Sequence, residues 1–149
     1  MTSRVELDID ARQPQLAALF ANPQNSPEWM DDLERIEPIS GAPGQFGSIY
    51  RLVPKRKGWE FVATVVRRAL PMEVAVLLIG PHVSVDVRDQ FVRLTDGKTR
   101  LISEEVFMFD GLFRKVVGFL ASGAIRRAHR RHLEAFKRFA ETRALPMAT

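Results

Sequence analysis

The chain has no cysteine, one tyrosine, and no long apolar run in its 149 residues. Without cysteine there are no disulfides, no thiol nucleophile and no cysteine-ligated zinc. The longest apolar stretch, near Val74–Ile79, is far too short for a membrane-spanning helix. Met1–Asp10 carries three acids and no apolar segment, so it does not read as a secretory signal. GxSxG and HExxH are both missing, which removes the usual serine-hydrolase and zinc-protease signatures. Gly97-Lys98-Thr99 ends like a phosphate loop, but Val92 stands where the leading glycine belongs and a strand follows instead of a helix. Gly41, Gly44 and Gly47 lie in a loop with no helix after them, so they are not a dinucleotide fingerprint.

What is present describes one globular domain spanning residues 1–149. Hydrophobic residues make up 46% of the chain, enough apolar surface to fill a core without staples. The expectation is a soluble, cytoplasmic protein, monomer or homodimer, with no cofactor. The net charge of +4 is unevenly spread. The first forty residues hold eight acids and three bases, whereas Gly111–Arg143 holds nine bases and two acids. Arg126, Arg127, Arg130 and Arg131 give the final helix a basic side suited to weak contact with an anionic membrane surface. No nucleic acid partner is expected, since base-stacking aromatics and a recognisable reading module are both lacking.

Hydrophobic periodicity sets out the elements. Ser3–Asp10 alternates, with Val5, Leu7 and Ile9 on one side, which predicts a half-buried strand. Asp10 then reads as a cap for a short helix carrying Leu16, Leu19 and Phe20, ended by Asn22-Pro23. Ser26 and Pro27 read as cap and first residue of a second short helix bearing Trp29, Met30 and Leu33. Regular turn signals then divide the chain into strands at about 34–40, 47–54, 59–69, 72–79, 82–94 and 98–109. Asp96-Gly97 is the best hairpin turn. From Asp110 onward, Phe113, Val117, Leu120, Ala124, Ala128, Leu133, Phe136 and Ala140 recur near a 3.6 period, predicting a helix of about thirty residues. Gly118 and Gly123 weaken it and mark a bend, a close contact or room for a ligand. The fold class is therefore α+β: a seven-stranded antiparallel sheet, two short helices after the first strand, and one long C-terminal helix. One helix is narrow for so wide a sheet, leaving either a cavity or a space filled by large side chains.

Several segments resemble a known family. Asn22-Pro23-Gln24-Asn25-Ser26-Pro27-Glu28-Trp29-Met30 is similar to the link between the two short helices of START-like proteins. Glu37-Pro38-Ile39-Ser40-Gly41, Gly47-Ser48 with Tyr50, and Gly97-Lys98-Thr99-Arg100-Leu101 resemble its strand landmarks. His132–Glu141 resembles its last helix. This is the START-like, Bet v 1-like superfamily of polyketide cyclases/dehydrases and lipid-transport proteins. The resemblance covers roughly residues 3–142. It implies the helix-grip fold and a hydrophobic cavity that binds a lipid, a polyketide or a similar molecule, or, alternatively, cyclase/dehydratase chemistry in the same cavity. It carries no shared catalytic residues.

The candidate ligand contacts are Trp29, Tyr50, Phe91, Phe107, Phe113, Val117 and Leu120, with Trp29 and Tyr50 as readily core and Phe107 and Phe113 more often core than contact. Glu105 is the weak catalytic candidate. It shares strand parity with Leu101, Phe107 and Phe109, so on a concave face it would be a buried carboxyl fit for acid–base work, while in the opposite register it is merely exposed. Asp86, Arg88 and Gln90 read as a solvent-facing stripe. His129 and His132 share a helix face, but Glu134 and His82 are badly placed to complete a metal site. No metal is expected, and both histidines are placed at the surface or rim.

Overall fold

A computed structural model of the chain describes residues 1–114 and 120–144. The strands are β1 (Thr2–Ile9), β2 (Leu33–Ser40), β3 (Ile49–Pro54), β4 (Phe61–Ala69), β5 (Glu73–Gly80), β6 (Val83–Arg93) and β7 (Thr99–Phe109). Helix α1 spans Gln13–Ala21 and α2 spans Ser122–Ala144. Every strand boundary falls within two residues of its expected position. All pairings are antiparallel, in the order β1-β7-β6-β5-β4-β3-β2. The meander β2–β7 is thus closed on its β7 side by the first strand of the chain. A bulge between Val65 and Arg67 interrupts the β4–β5 register. Bulges of this kind bend a strand and increase its twist, which helps the sheet curl.

Alternation decides which side chains face inward. Val5 and Ile9 of β1, Ala63 and Val65 of β4, Val74 of β5, Val85 and Phe91 of β6, and Leu101 of β7 are buried on the concave face. Helix α2 lies against this face, inserting Leu133, Phe136 and Ala140 while its arginines face outward. Asp96-Gly97 makes the β6–β7 turn as expected, with Gly97 at φ +79°. Asp86 and Arg88 are exposed, on the outer face where Arg88 pairs with Glu73.

Three local expectations are corrected. Asp10 does not cap α1: the N-cap is Arg12, without a side-chain hydrogen bond, and Asp10 instead donates its backbone N–H to Glu141 Oε2 at 2.9 Å. The second short helix is a 3-10 helix over Pro23–Glu28, begun by Asn22, whose side chain accepts from the Gln24 N–H at 3.1 Å, and not by Ser26. Pro27 within it has no N–H, so regular α-helical bonding cannot pass through. Trp29 and Met30 follow this helix, their N–H groups donating to the Ser26 carbonyl. The final helix is not one rod from Asp110. A turn at Gly111 is closed by the Arg114 N–H, the backbone is helical at Phe113–Arg114 and at Leu120, it bends at Ala121, and the 23-residue α2 begins at Ser122. Among the described residues, no helix is long and apolar enough to cross a membrane.

Candidate functional site

At its C-terminal half, α2 meets a packed cluster. Phe136 has no exposed surface and lies 4.9 Å from Phe20 and 5.3 Å from Trp29, ring centre to ring centre. Phe20 in turn contacts Trp29 at 5.4 Å and Phe91 at 5.6 Å. Four aromatic rings therefore fill this end. Trp29 and Phe91, expected as ligand contacts, belong to this packing, and Tyr50 is likewise a buried core residue. Burial pushes the Tyr50 hydroxyl up to about 12, so it stays protonated.

The N-terminal half of α2 presents smaller groups, Ile125 and Ala128, and the space opposite them is open. A cavity of about 260 Å³ runs between this stretch and the sheet. Leu52, Phe61, Leu78, Val85 and Phe107 form its sheet wall. Met30, Leu33, Pro54 and Trp59 also line it. Gly80 shapes the wall: a Cβ built there would lie 2.7 Å from the Phe61 ring. Of the expected ligand contacts, Phe107 lines the cavity. Phe113 stacks on His82 and lies 5.2 Å from Trp59, and Leu120 is exposed. Val117, with Gly118 and Phe119, lies outside the described residues.

Four polar residues interrupt the apolar lining: Asp32, Glu105, His129 and His132. Parity places Glu105 on the concave face, with Phe107, while Glu104 turns outward toward Arg4. Burial pushes the Glu105 carboxyl up to about 8, aided by the nearby Asp89 carboxylate. His129 is not at the surface or rim, as expected from sequence, but is buried, 3% exposed. Its Nδ1 lies 2.7 Å from Ser3 Oγ on β1 and its Nε2 lies 2.9 Å from Ser103 Oγ on β7. Both ring nitrogens thus have hydroxyl partners, one hydroxyl accepting from the ring N–H and the other donating to the bare nitrogen. Burial, with the charges of His132 and Arg130, pushes His129 down to about 4. Glu105 Oε1 lies 3.7 Å from His129 Nδ1. With the acid pushed up and the imidazole pushed down, both are neutral near pH 7, so this contact is not an ion pair.

Asp89 completes the polar group and was absent from the sequence reading. It is 2% exposed, sits opposite Ser103 in the β6–β7 ladder, and its Oδ1 has no hydrogen-bond partner among the described residues. Burial pushes it up to about 7, opposed by a hydrogen bond from Ser103. Ser3, Asp89, Ser103, Glu105 and His129 therefore form one buried polar patch across β1, β7 and β6, capped by α2.

The two histidines of α2 serve different neighbours. His132 Nε2 faces Asp32 at 3.1 Å and Asp31 at 3.6 Å. The His132 side chain holds the Asp32 carboxyl below its ordinary range. Asp31, Asp32 and His132 place three donor atoms within 4.8 Å of one another, a set a divalent cation could accept. The two carboxylates are exposed, and Asp31 also pairs with Arg131 at 3.3 Å. Of the other arginines on the basic side of α2, Arg130 pairs with Glu134 at 3.7 Å, while Arg126 and Arg127 are exposed.

No protein-family model and no curated protein matches the chain. Solved structures do. The Zhui aromatase/cyclase from Streptomyces sp. R1128 is 16% identical, with a TM-score of 0.77 over 99% of this chain and 98% of that one. Ara h 8.0201 is 11% identical, with a TM-score of 0.74 over 95% and 98%. The chain has the helix-grip fold. It is the fold expected from the START-like, Bet v 1-like resemblance. Norcoclaurine synthase from Thalictrum flavum, solved with dopamine and hydroxybenzaldehyde, shares it at 16% identity and a TM-score of 0.69 over 93% of this chain and 85% of that one. At these identities the helix-grip likeness is one of architecture, and the chemistry must come from the cavity itself.

Proposed function

We propose that the chain binds one small, largely apolar molecule between the sheet and α2, with Glu105 meeting its polar group and His129, bonded to Ser3 and Ser103, forming part of the wall behind it. The cavity carries this reading: about 260 Å³ of space with apolar walls and polar groups confined to a few positions. Water occupies about 30 Å³ per molecule in the liquid, so the space corresponds to roughly nine waters, or a ligand of about ten non-hydrogen atoms. Each methylene moved from water into it contributes about 0.8 kcal/mol. A protonated Glu105 can donate one hydrogen bond to a carbonyl or hydroxyl of the ligand without the cost of burying a charge. Helix-grip neighbours solved with small molecules or named as a cyclase are in keeping with this use of the fold.

Displacement of a fluorescent fatty acid by lipids, sterols and aromatics tests the proposal. Ala128 lines the cavity from α2, so Ala128→Phe fills it from a helical position. Wild type should bind at least one class, and the variant should lose about tenfold or more in affinity, the effect of about 1.4 kcal/mol. Failure of every class, or unchanged binding by a folded variant, overturns it.

A second reading, a cyclase/dehydratase-type enzyme, is favoured by one observation: an acid and an imidazole 3.7 Å apart at the cavity wall. Glu105 would protonate a departing hydroxyl while His129 took a proton from the adjacent carbon, releasing water and leaving a double bond. An imidazole held near 4 is a weak base at neutral pH, far from the value that best serves proton transfer. Binding is therefore the leading function.

A further inference from the structure

The rim of the cavity carries charge that the interior does not use. Beyond Pro54, Trp59 and Phe61 the cavity continues into an open cleft of about 580 Å³, which these residues and Asp32 also line. Three consecutive cations, Lys55, Arg56 and Lys57, line that cleft from the β3–β4 turn. The turn is held in place by the Lys55 N–H, which donates to the Asp32 carbonyl at 2.9 Å.

The three cations lack the carboxylate partner that half of the other lysines and arginines among the described residues have. Arg35, Arg51, Arg67, Arg88, Arg100, Arg130 and Arg131 each have a carboxylate partner. None of the ion pairs among the described residues includes Lys55, Arg56 or Lys57. The acids that also line the cleft, Asp31 and Asp32, are matched to Arg131 and His132, although the Asp32 backbone adjoins Lys55. Glu60, at the foot of the turn, faces Arg51. Three like charges in a row repel one another and have no internal partner to offset it. An apolar chamber opening onto such a row suits a molecule with an apolar body and an anionic end.

We propose that the preferred ligand is an amphipathic anion, with its carboxylate or phosphate at Lys55–Lys57 and its apolar part in the cavity. This rests on the cavity reading above and adds the ligand's charge and direction. The headgroup remains in the wet cleft, where its charge keeps its water, and the apolar part runs inward, so that a carbonyl or hydroxyl further along the ligand, where it has one, is the group that Glu105 meets. The neutral state of Glu105 matters here, since a second negative charge facing the tail end would oppose entry.

Calorimetric titration with decanoate, decyl phosphate and decanol separates the two claims, because decanol fits the same cavity without charge. The charge-neutral turn variant Lys55→Gln/Arg56→Gln/Lys57→Gln alters only exposed positions. Wild type should bind at least one of the two anions about tenfold more tightly than decanol. The preference should shrink with added salt as screening shortens the reach of the cations. In the variant the preference should fall to about twofold or less, with decanol affinity unchanged. A preference for decyl phosphate alone supports the proposal with phosphate as the recognised group, and one for decanoate alone supports it with carboxylate. Equal binding of all three by wild type, or a preference that survives in the variant, overturns the proposal while leaving the cavity reading intact. A variant that loses only its binding to anionic vesicles also overturns it, since the turn would then serve a lipid surface. If none of the three binds wild type, this proposal falls, and the displacement series with lipids, sterols and aromatics decides the cavity reading separately.

Discussion

At the C-terminal end of α2, Phe136 is enclosed by Phe20 and Trp29, and Ala140 beyond it is also fully buried. Two to three turns earlier the same helix turns Ile125 and Ala128 to the cavity, and there His129 alone reaches the sheet, through Ser3 and Ser103. The sheet is continuous beneath both ends, so the contrast comes from what the side chains and flanking elements supply. Helix α1 and the 3-10 helix add rings at one end only. The packed end and the cavity thus belong to one interface between α2 and the sheet.

Breaking the packed end should have the largest effect. Phe136→Ala removes a ring from a site with no exposed surface and should cost about 3–5 kcal/mol in denaturant unfolding. If ligand affinity falls further than the lost folded fraction explains, the two ends are coupled through the helix angle. Unchanged affinity in the folded fraction would show that they are independent.

Glu105→Gln sharpens the comparison from the open end. In wild type the folded carboxyl stands at about 8 against an ordinary 4.5. The folded state therefore holds a proton that the unfolded chain releases, and stability falls as pH rises from 4.5 to 8. Asp89, pushed up to about 7, acts in the same sense from 3.8 to 7. His129, pushed down to about 4, acts oppositely between 4 and 6.5. Glutamine removes the Glu105 contribution alone, so the variant should gain stability over wild type between pH 5 and 8, by about 1–3 kcal/mol at the upper end. Thermal melts at several pH values measure this, and a constant difference across the range contradicts it. The same variant decides between the functional readings: a binder should lose a modest part of its affinity, an enzyme its turnover. At the far end of the scale, Leu120→Ser changes an exposed side chain outside both regions and should shift stability by no more than about 0.5 kcal/mol.

The strands were legible because turn residues and alternation act within one segment. Alternation also placed Glu105 in phase with Phe107, where it faces the cavity. The same rule, carried one step further, would have exposed Asp89, which sits in phase with Val85 and Phe91 on β6. Likewise His129 lies four residues before Leu133 and seven before Phe136, on the apolar stripe of α2, a spacing that already argued against the rim. What no local pattern could show is which aromatics fill space and which line it. Trp29, Phe91 and Phe107 are alike in type, and their fates depend on partners far away in the chain. The break in the last helix stayed hidden for a related cause, since the 3.6 period runs on through the bend at Ala121.

The contact between Gly80 and the Phe61 ring has a consequence for how such a chamber could be resized. The ring rests where any larger residue at position 80 would need to be. Phe61 also lines the cavity, so a methyl group at position 80 would have to displace a wall residue, and the volume there is set in part by the missing side chain on β5.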